Sequence, residues 1–262
     1  MKKNLIATAI CGLGLLGSGA ASAVVISGVD FGPLGATNQI SVGSLTETFI
    51  SGSGQTLTGY GNISQVNGTT SYAGSNSLYF IVHDYISKNF TPSSTDFTGG
   101  VVDVYFGPTF NLLNQSSAQD IATILSYSKY VELTGHATTT DGTTLTAKGT
   151  LTGTTFNFLG SGLLDVFIGG FGTTAAQNYL NSNAYADGIG GFADISFTSS
   201  GNNDVLNKFD PTCTFQPNQF CVAGSANLRS PTVVDVPEPG ILAMLGLGLM
   251  GMGAFLRKRK AV

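Results

Sequence analysis

The sequence feature that most constrains the fold is a succession of short strand-like runs separated by turn residues. Gly, Ser and Thr make up more than a third of residues 24–236, and the runs between them are rich in Val, Ile, Thr, Tyr and Phe, which favour strands. The runs cover 46–50, 56–61, 77–86, 101–106, 130–138, 143–151, 155–159, 163–168 and 192–197. This pattern predicts an all-β domain, either a β-sandwich or a jelly-roll-like fold.

Local signals add a hairpin and one or two short helices to this prediction. Asp141-Gly142 lies between two Thr-rich runs and is typical of a tight hairpin turn, because Gly readily adopts a positive φ. Ser117, with Asp120 three residues later, fits the start of a helix. A second helix is expected to start at Thr174 and to run through Leu180.

The charge of this region limits what it can bind. Residues 24–236 hold five Lys and Arg residues against 14 Asp and Glu residues. A domain this acidic is unsuited to nucleic acid, which requires clustered cations to displace phosphate counterions. We therefore expect no nucleic-acid partner.

The N-terminus has the organisation of an export signal. Two lysines are followed by the apolar run Leu5–Leu16, and Ala21 and Ala23 are small residues at the positions that a signal peptidase accepts. Residues 1–23 are therefore predicted to be a signal peptide, with signal peptidase as a partner and Val24 as the first residue of the mature protein.

The C-terminus has three parts in a fixed order. Pro237, Glu238 and Pro239 come first, and the apolar and small residues 241–256 follow. The chain then ends with a basic cluster formed by Arg257, Lys258, Arg259 and Lys260. As a helix, the apolar part would be about 24 Å long, shorter than the ~30 Å hydrocarbon core of a bilayer. It is expected to be a C-terminal membrane helix that holds the protein only transiently, with the basic cluster in the cytoplasm.

This tail, residues 237–262, resembles the PEP-CTERM sorting signal of Gram-negative bacteria. The resemblance implies that Pro237, Glu238 and Pro239 are recognised by the membrane enzyme exosortase, which cuts at or near them. It also implies that the protein passes through the inner membrane and is then released to the cell surface or extracellular matrix.

Three similar strand-like segments each carry an acid near their centre. They are residues 100–106, 162–168 and 191–197, with Asp103, Asp165 and Asp194. One interpretation is that outward-facing acids prevent edge-to-edge aggregation. The other is a cation site, because carboxylate oxygens are the ligands that Ca²⁺ prefers.

The two cysteines of the exported part are close in sequence. Cys213 and Cys221 are expected to form a disulfide in an oxidising compartment. The domain is predicted to span residues 24–222, and residues 223–236 are predicted to be a linker to the sorting signal.

No pattern in the sequence indicates an enzyme or a cofactor. His83 and His136 lie in predicted strands, and no G-x-S-x-G nucleophile motif occurs. The runs 78–85 and 155–159 resemble those of flocculation-associated PEP-CTERM proteins, which implies a structural or adhesive role with exopolysaccharide in biofilms or flocs. A carbohydrate-binding module with exposed tyrosines is the alternative, and a secreted hydrolase is a third.

Overall fold

The structure is a computed structural model that describes residues 23–33, 37–152, 155–202 and 213–231. Thirteen strands and two helices lie in these ranges. The strands are β1 Ala23–Ile26, β2 Val29–Pro33, β3 Thr37–Thr48, β4 Thr56–Val66, β5 Asn76–Thr91, β6 Ser94–Pro108, β7 Ser128–His136, β8 Thr143–Thr152, β9 Thr155–Val166, β10 Tyr185–Ala186, β11 Phe192–Ala193, β12 Ile195–Asn202 and β13 Phe220–Pro231. The helices are α1 Ser117–Leu125 and α2 Thr174–Leu180.

Nine of the strands form one antiparallel sheet that closes on itself. From β3 to β6 each strand pairs with the next along the chain, β9 pairs with β12, and β12 pairs with β13. The ring is completed because β13 pairs with β3. The predicted all-β class with two short helices is confirmed, and its sheet is a closed barrel instead of two stacked layers.

Strands β7 and β8 together occupy a single position in this ring. Both pair antiparallel with β6 on one side and with β9 on the other, so they run in the same direction. The residues between them leave the sheet in a turn where the N–H of Gly142 donates to the carbonyl of Thr139 at 3.0 Å. The predicted hairpin at Asp141-Gly142 is therefore wrong. Gly142 does have φ +80, but the turn connects two strands that follow one another in the same position of the sheet and do not pair with each other.

Alternate residues of each strand point into the barrel. These inward-facing residues are mainly apolar. Their main cluster includes Leu45, Phe80, Val104, Leu133 and Leu164, all buried. A closed sheet of eight strands leaves an interior that side chains fill or that holds one small ligand. The barrel has eight strand positions, and its interior is therefore a place to look for a binding site.

One end of the barrel is covered by β1, β2 and α2. Val29 and Phe31 from β2 and Leu180 from α2 belong to the same buried cluster as the barrel interior. The rings of Phe31 and Tyr179 lie 4.7 Å apart. As predicted, α2 begins at Thr174, and the hydroxyl of Thr173 accepts a hydrogen bond from the N–H of Ala176. Strands β1 and β2 and helix α2 therefore close this end of the barrel.

Helix α1 packs on the outer face of β4, β5 and β6. Its Ile124 is buried with Tyr60, Tyr79 and Tyr105. The Tyr60 hydroxyl lies 3.0 Å from the Ser117 hydroxyl. The predicted N-cap is wrong by one residue, because Ser116 precedes the helix and its N–H donates to the Gln119 side chain.

The prediction of a linker over residues 223–236 is wrong for residues 223–231. These residues belong to β13, which pairs with β12 over Ala223–Arg229 and with β3 up to Pro231. The polar and small residues of this stretch are explained by its position, since one face of β13 is on the outside of the barrel. The strand that closes the barrel therefore extends past the predicted domain boundary at residue 222.

Candidate functional site

A buried acid lies on the inner face of the barrel. In β3 the register shifts near Val42, and Leu45 and Glu47 both face Gly59 of β4. Glu47 is only 7% exposed. Burial raises the pKa of its carboxyl to about 7. Glu47 can therefore exchange a proton near neutral pH inside an apolar space.

A buried phenol lies near this acid. Tyr85 of β5 is 1% exposed, and its hydroxyl has no hydrogen-bond partner among the residues that the structure describes. Burial, and then the charge of Glu47, raise the pKa of Tyr85 above its ordinary value. Gly100 of β6 has φ +98, and a side chain there would overlap the Tyr85 ring. The backbone is thus shaped to accommodate this tyrosine.

Two hollows meet at Glu47. One has a volume of about 100 Å³ and includes Phe49, Phe97 and Phe156 in its wall. The other has a volume of about 80 Å³ and includes Tyr85. Glu47, Leu57, Leu145 and Ser199 line both. We call these two hollows with Glu47 and Tyr85 the interior site.

Each of the two histidines lies between two aspartates. His83 Nδ1 is 2.7 Å from Asp84 and its Nε2 is 3.3 Å from Asp103. His136 Nδ1 is 2.7 Å from Asp165 and its Nε2 is 3.1 Å from Asp187. Both nitrogens of each ring can donate to a carboxylate at the same time only when the imidazole is protonated.

These contacts stabilise the charged form of both rings. For His83 and His136 burial alone would lower the pKa, but the hydrogen bonds and charges of the paired aspartates raise it above the ordinary value. The two histidines therefore tie neighbouring strands together on the barrel exterior. Their stabilising effect is greatest when they are protonated.

The three aspartates that could have formed a cation site do not converge. Asp103 binds His83 and Asp165 binds His136. Asp194 is buried and accepts hydrogen bonds from the backbone N–H groups of Val166 and Asn183. The described part of the chain contains no group of three or more residues that could hold a metal ion. The carboxylates are instead engaged with protein groups.

A row of polar side chains crosses the outer face of the barrel. Each member is the direct cross-strand partner of the next, so all of them share one face. The row consists of Asp96, Thr146, Ser161, Thr198, Asn227, Ser41 and Gln65, on β6, β8, β9, β12, β13, β3 and β4. We call these seven residues the polar row.

A second line of side chains runs beside the polar row. Lys148, Leu159, Ser200 and Ser225 are again direct cross-strand partners. A surface groove of about 690 Å³ is lined by residues of both lines. Its size is in the range of ligand pockets, and its walls combine hydroxyl and amide groups with apolar surface such as that of Leu159.

The predicted disulfide is confirmed. Cys213 and Cys221 are bonded, with their Cα atoms 5.5 Å apart. Cys221 is buried beside Phe49, Phe156 and Val222. The bond therefore attaches the segment before β13 to the barrel.

Glu47 and Tyr85 were not recognised from the sequence. Both lie in runs that were predicted as strands. Alternation along Leu45, Glu47 and Phe49 puts the acid on the same face as two large apolar residues. That pattern was the available signal, but it identifies an interior acid only once the inner face of the strand is known.

Most of the predicted processing residues lie outside the described residues. This applies to Ala21, to Pro237, Glu238 and Pro239, to the helix over 241–256 and to the basic cluster at 257–260. Ala23 and Val24 lie in β1. Among the residues described, no helix is both long and apolar enough to cross a membrane.

Comparison with known proteins identifies the C-terminal signal. A family model, the PEP-CTERM protein-sorting motif, matches residues 235–260. This match contains Pro237, Glu238 and Pro239. No curated protein and no solved structure matches the chain.

The chain is thus an exported protein that undergoes processing at a membrane. It carries the PEP-CTERM sorting motif and is a substrate of exosortase.

Proposed function

We propose that the barrel is a non-catalytic structural or adhesive component of the cell surface or extracellular matrix, where it binds exopolysaccharide through the polar row. The observation that supports this proposal is the polar row itself, with its adjoining groove. The sorting motif supports the destination, because it indicates export followed by processing.

The chemistry of the polar row suits a neutral polysaccharide. Hydroxyl and amide side chains both donate and accept hydrogen bonds, as sugar hydroxyls do. Strands lie about 4.8 Å apart, so the seven residues offer a regular series of contacts along an extended chain. The negative charge of the domain disfavours strongly acidic polymers, since like charges repel.

The central residues of the row allow a direct test. In the double variant Ser161→Ala and Thr198→Val two adjacent hydroxyls are lost, while side-chain size is nearly retained. Binding of the purified, processed protein to exopolysaccharide from the producing cells is expected to weaken at least tenfold. Ser128→Ala, an exposed hydroxyl on β7 outside the row, is the matched control and should bind normally. Equal binding by the double variant and the native protein would contradict the proposal.

The destination needs a separate test, which uses the sorting motif. Replacing Pro237, Glu238 and Pro239 with alanine is expected to keep the protein in the inner membrane while leaving the barrel folded. Cell fractionation, with mass spectrometry of the released protein, should show a start at Val24 for the native chain. Normal amounts of the alanine variant at the surface would refute processing at this motif.

The alternative of a carbohydrate-binding module with stacking tyrosines has no support in the structure. None of the nine tyrosines is exposed. Seven of them are buried, namely Tyr60, Tyr72, Tyr79, Tyr85, Tyr105, Tyr130 and Tyr179. A flat aromatic platform of tyrosines is therefore not available, and hydrogen bonding is the better basis for sugar recognition.

A further inference from the structure

The interior site contains a buried hydroxyl that the described part of the fold leaves without a partner, and a buried acid beside it. The Tyr85 hydroxyl is buried and lacks a hydrogen-bond partner among the described residues. Glu47 is the single acidic or basic side chain among the described residues that line the two hollows. Burying a hydroxyl without a partner is unfavourable, and so is burying an ionised carboxylate in an apolar space. A leucine and a phenylalanine would fill these positions without that cost.

The site is accessible from one end of the barrel. The 100 Å³ hollow is lined by Phe90, Pro92 and Ser93, where β5 turns into β6. Pro92 and Ser93 are exposed, so this hollow reaches the surface. The opposite end is closed by the cluster that contains Phe31 and Leu180. A ligand would enter past the β5–β6 turn and reach Glu47, the acidic side chain in the wall of this hollow.

Size and charge define the ligand class. An apolar cavity of about 150 Å³ admits one benzene molecule, and the two hollows, at about 100 and 80 Å³, offer room of that order. Their walls are largely aromatic and aliphatic, with one carboxyl group where they meet. A cation next to a buried carboxylate removes the penalty of leaving that charge unpaired.

We propose that the interior site binds a small hydrophobic amine, with the ammonium group on Glu47 and the apolar body among Leu57, Leu145 and Phe97. The Tyr85 hydroxyl, in the wall of the second hollow, provides a second polar contact. This inference is independent of the polar row, because inner and outer side chains of a strand point in opposite directions.

Three probes of similar size test the proposal. Benzylamine, benzyl alcohol and benzoate differ mainly in the charge of the head group. Their binding to the processed protein is measured by calorimetry and by NMR shifts of the Leu57 and Leu145 methyl groups. At about pH 8 most Glu47 side chains are ionised while an alkylamine is still protonated. Benzylamine is expected to bind at least tenfold more tightly than benzyl alcohol, and benzoate should not bind.

A variant that keeps the shape of the cavity separates charge from size. Glu47→Gln should abolish the preference for benzylamine and leave benzyl alcohol binding unchanged. Lys148→Gln, on the outer face, is the control and should retain the preference. The proposal is overturned if none of the probes shifts the methyl signals, if benzyl alcohol binds as tightly as benzylamine, or if the preference survives in Glu47→Gln.

Discussion

The buried carboxyl of Glu47 should make the barrel less stable as the pH rises. Its pKa is about 7 in the folded protein, against an ordinary value of 4.5 for a glutamate, so the folded state binds the proton more tightly than the unfolded state. The resulting penalty is absent below pH 4.5, develops between the two pKa values and is complete above pH 7. A shift of this size corresponds to roughly 3 kcal/mol, at about 1.4 kcal/mol per pKa unit.

Glu47→Gln removes the ionisation while keeping the shape of the side chain. At about pH 8 the variant is expected to be more stable than the native protein by up to ~3 kcal/mol, which raises the melting temperature by roughly 6–12 °C for a domain of this size. At about pH 4 the two proteins should differ little, because the native carboxyl is then protonated.

The measurement is a series of thermal or urea unfolding curves across this pH range. Glu132→Gln removes a charge from the outer surface of β7 instead and controls for the change in net charge. The reasoning is refuted if the gain from Glu47→Gln is the same at both ends of the range, or if Glu132→Gln shows the same pH dependence.

Three further predictions concern the barrel exterior and its closing strand. His136→Gln should destabilise the protein most below pH 6.5 and progressively less at higher pH. The pKa of His136 is raised in the folded protein, so its contacts with the aspartates stabilise the fold only while the ring is protonated. A loss of stability that is equal at all pH values would contradict this. Replacing both Cys213 and Cys221 with serine should lower the free energy of unfolding by ~2–3 kcal/mol, and a melting temperature unchanged by the substitutions or by a reductant would argue against it. Deleting β13, Phe220–Pro231, should abolish cooperative melting because the edges of β12 and β3 lose their partner, whereas a chain that ends at residue 232 should melt normally.

The sequence was sufficient for the class of fold but not for the way the sheet closes. Strand-rich composition and turn residues correctly indicated β4 to β8, since local propensity and alternation carry that information. The runs 155–159 and 163–168 were predicted as two strands but belong to the single strand β9. β13 was missed because Ala223-Gly-Ser-Ala-Asn resembles a linker, and its ladder bonds to β12 and β3 come from residues far away in the chain. The hairpin prediction at Asp141-Gly142 was wrong for a similar reason, because a local turn signal does not show which strands pair.

The interior site was beyond the reach of sequence reasoning for a further reason. One acid in a strand is usually a solvent-facing residue, and the sequence contains other mid-strand acids, such as Asp103 and Asp165, that lie on the exterior and bind histidines. What distinguishes Glu47 is the register of β3, which shifts twice near Val42. Each shift changes which residues point inward, and only the paired structure reveals the outcome.

Alternation within the same strands separates the two proposed binding surfaces. Ser199 of β12 lines the interior hollows, while its neighbours Thr198 and Ser200 belong to the two outer lines of polar residues. A slip of one residue in this strand would exchange the two faces and put hydroxyl groups into the apolar interior. The closed ring opposes such a slip because β12 is hydrogen-bonded on both sides, to β9 and to β13. Substitutions at Glu47 should therefore leave polysaccharide binding intact, and substitutions at Thr198 should leave amine binding intact.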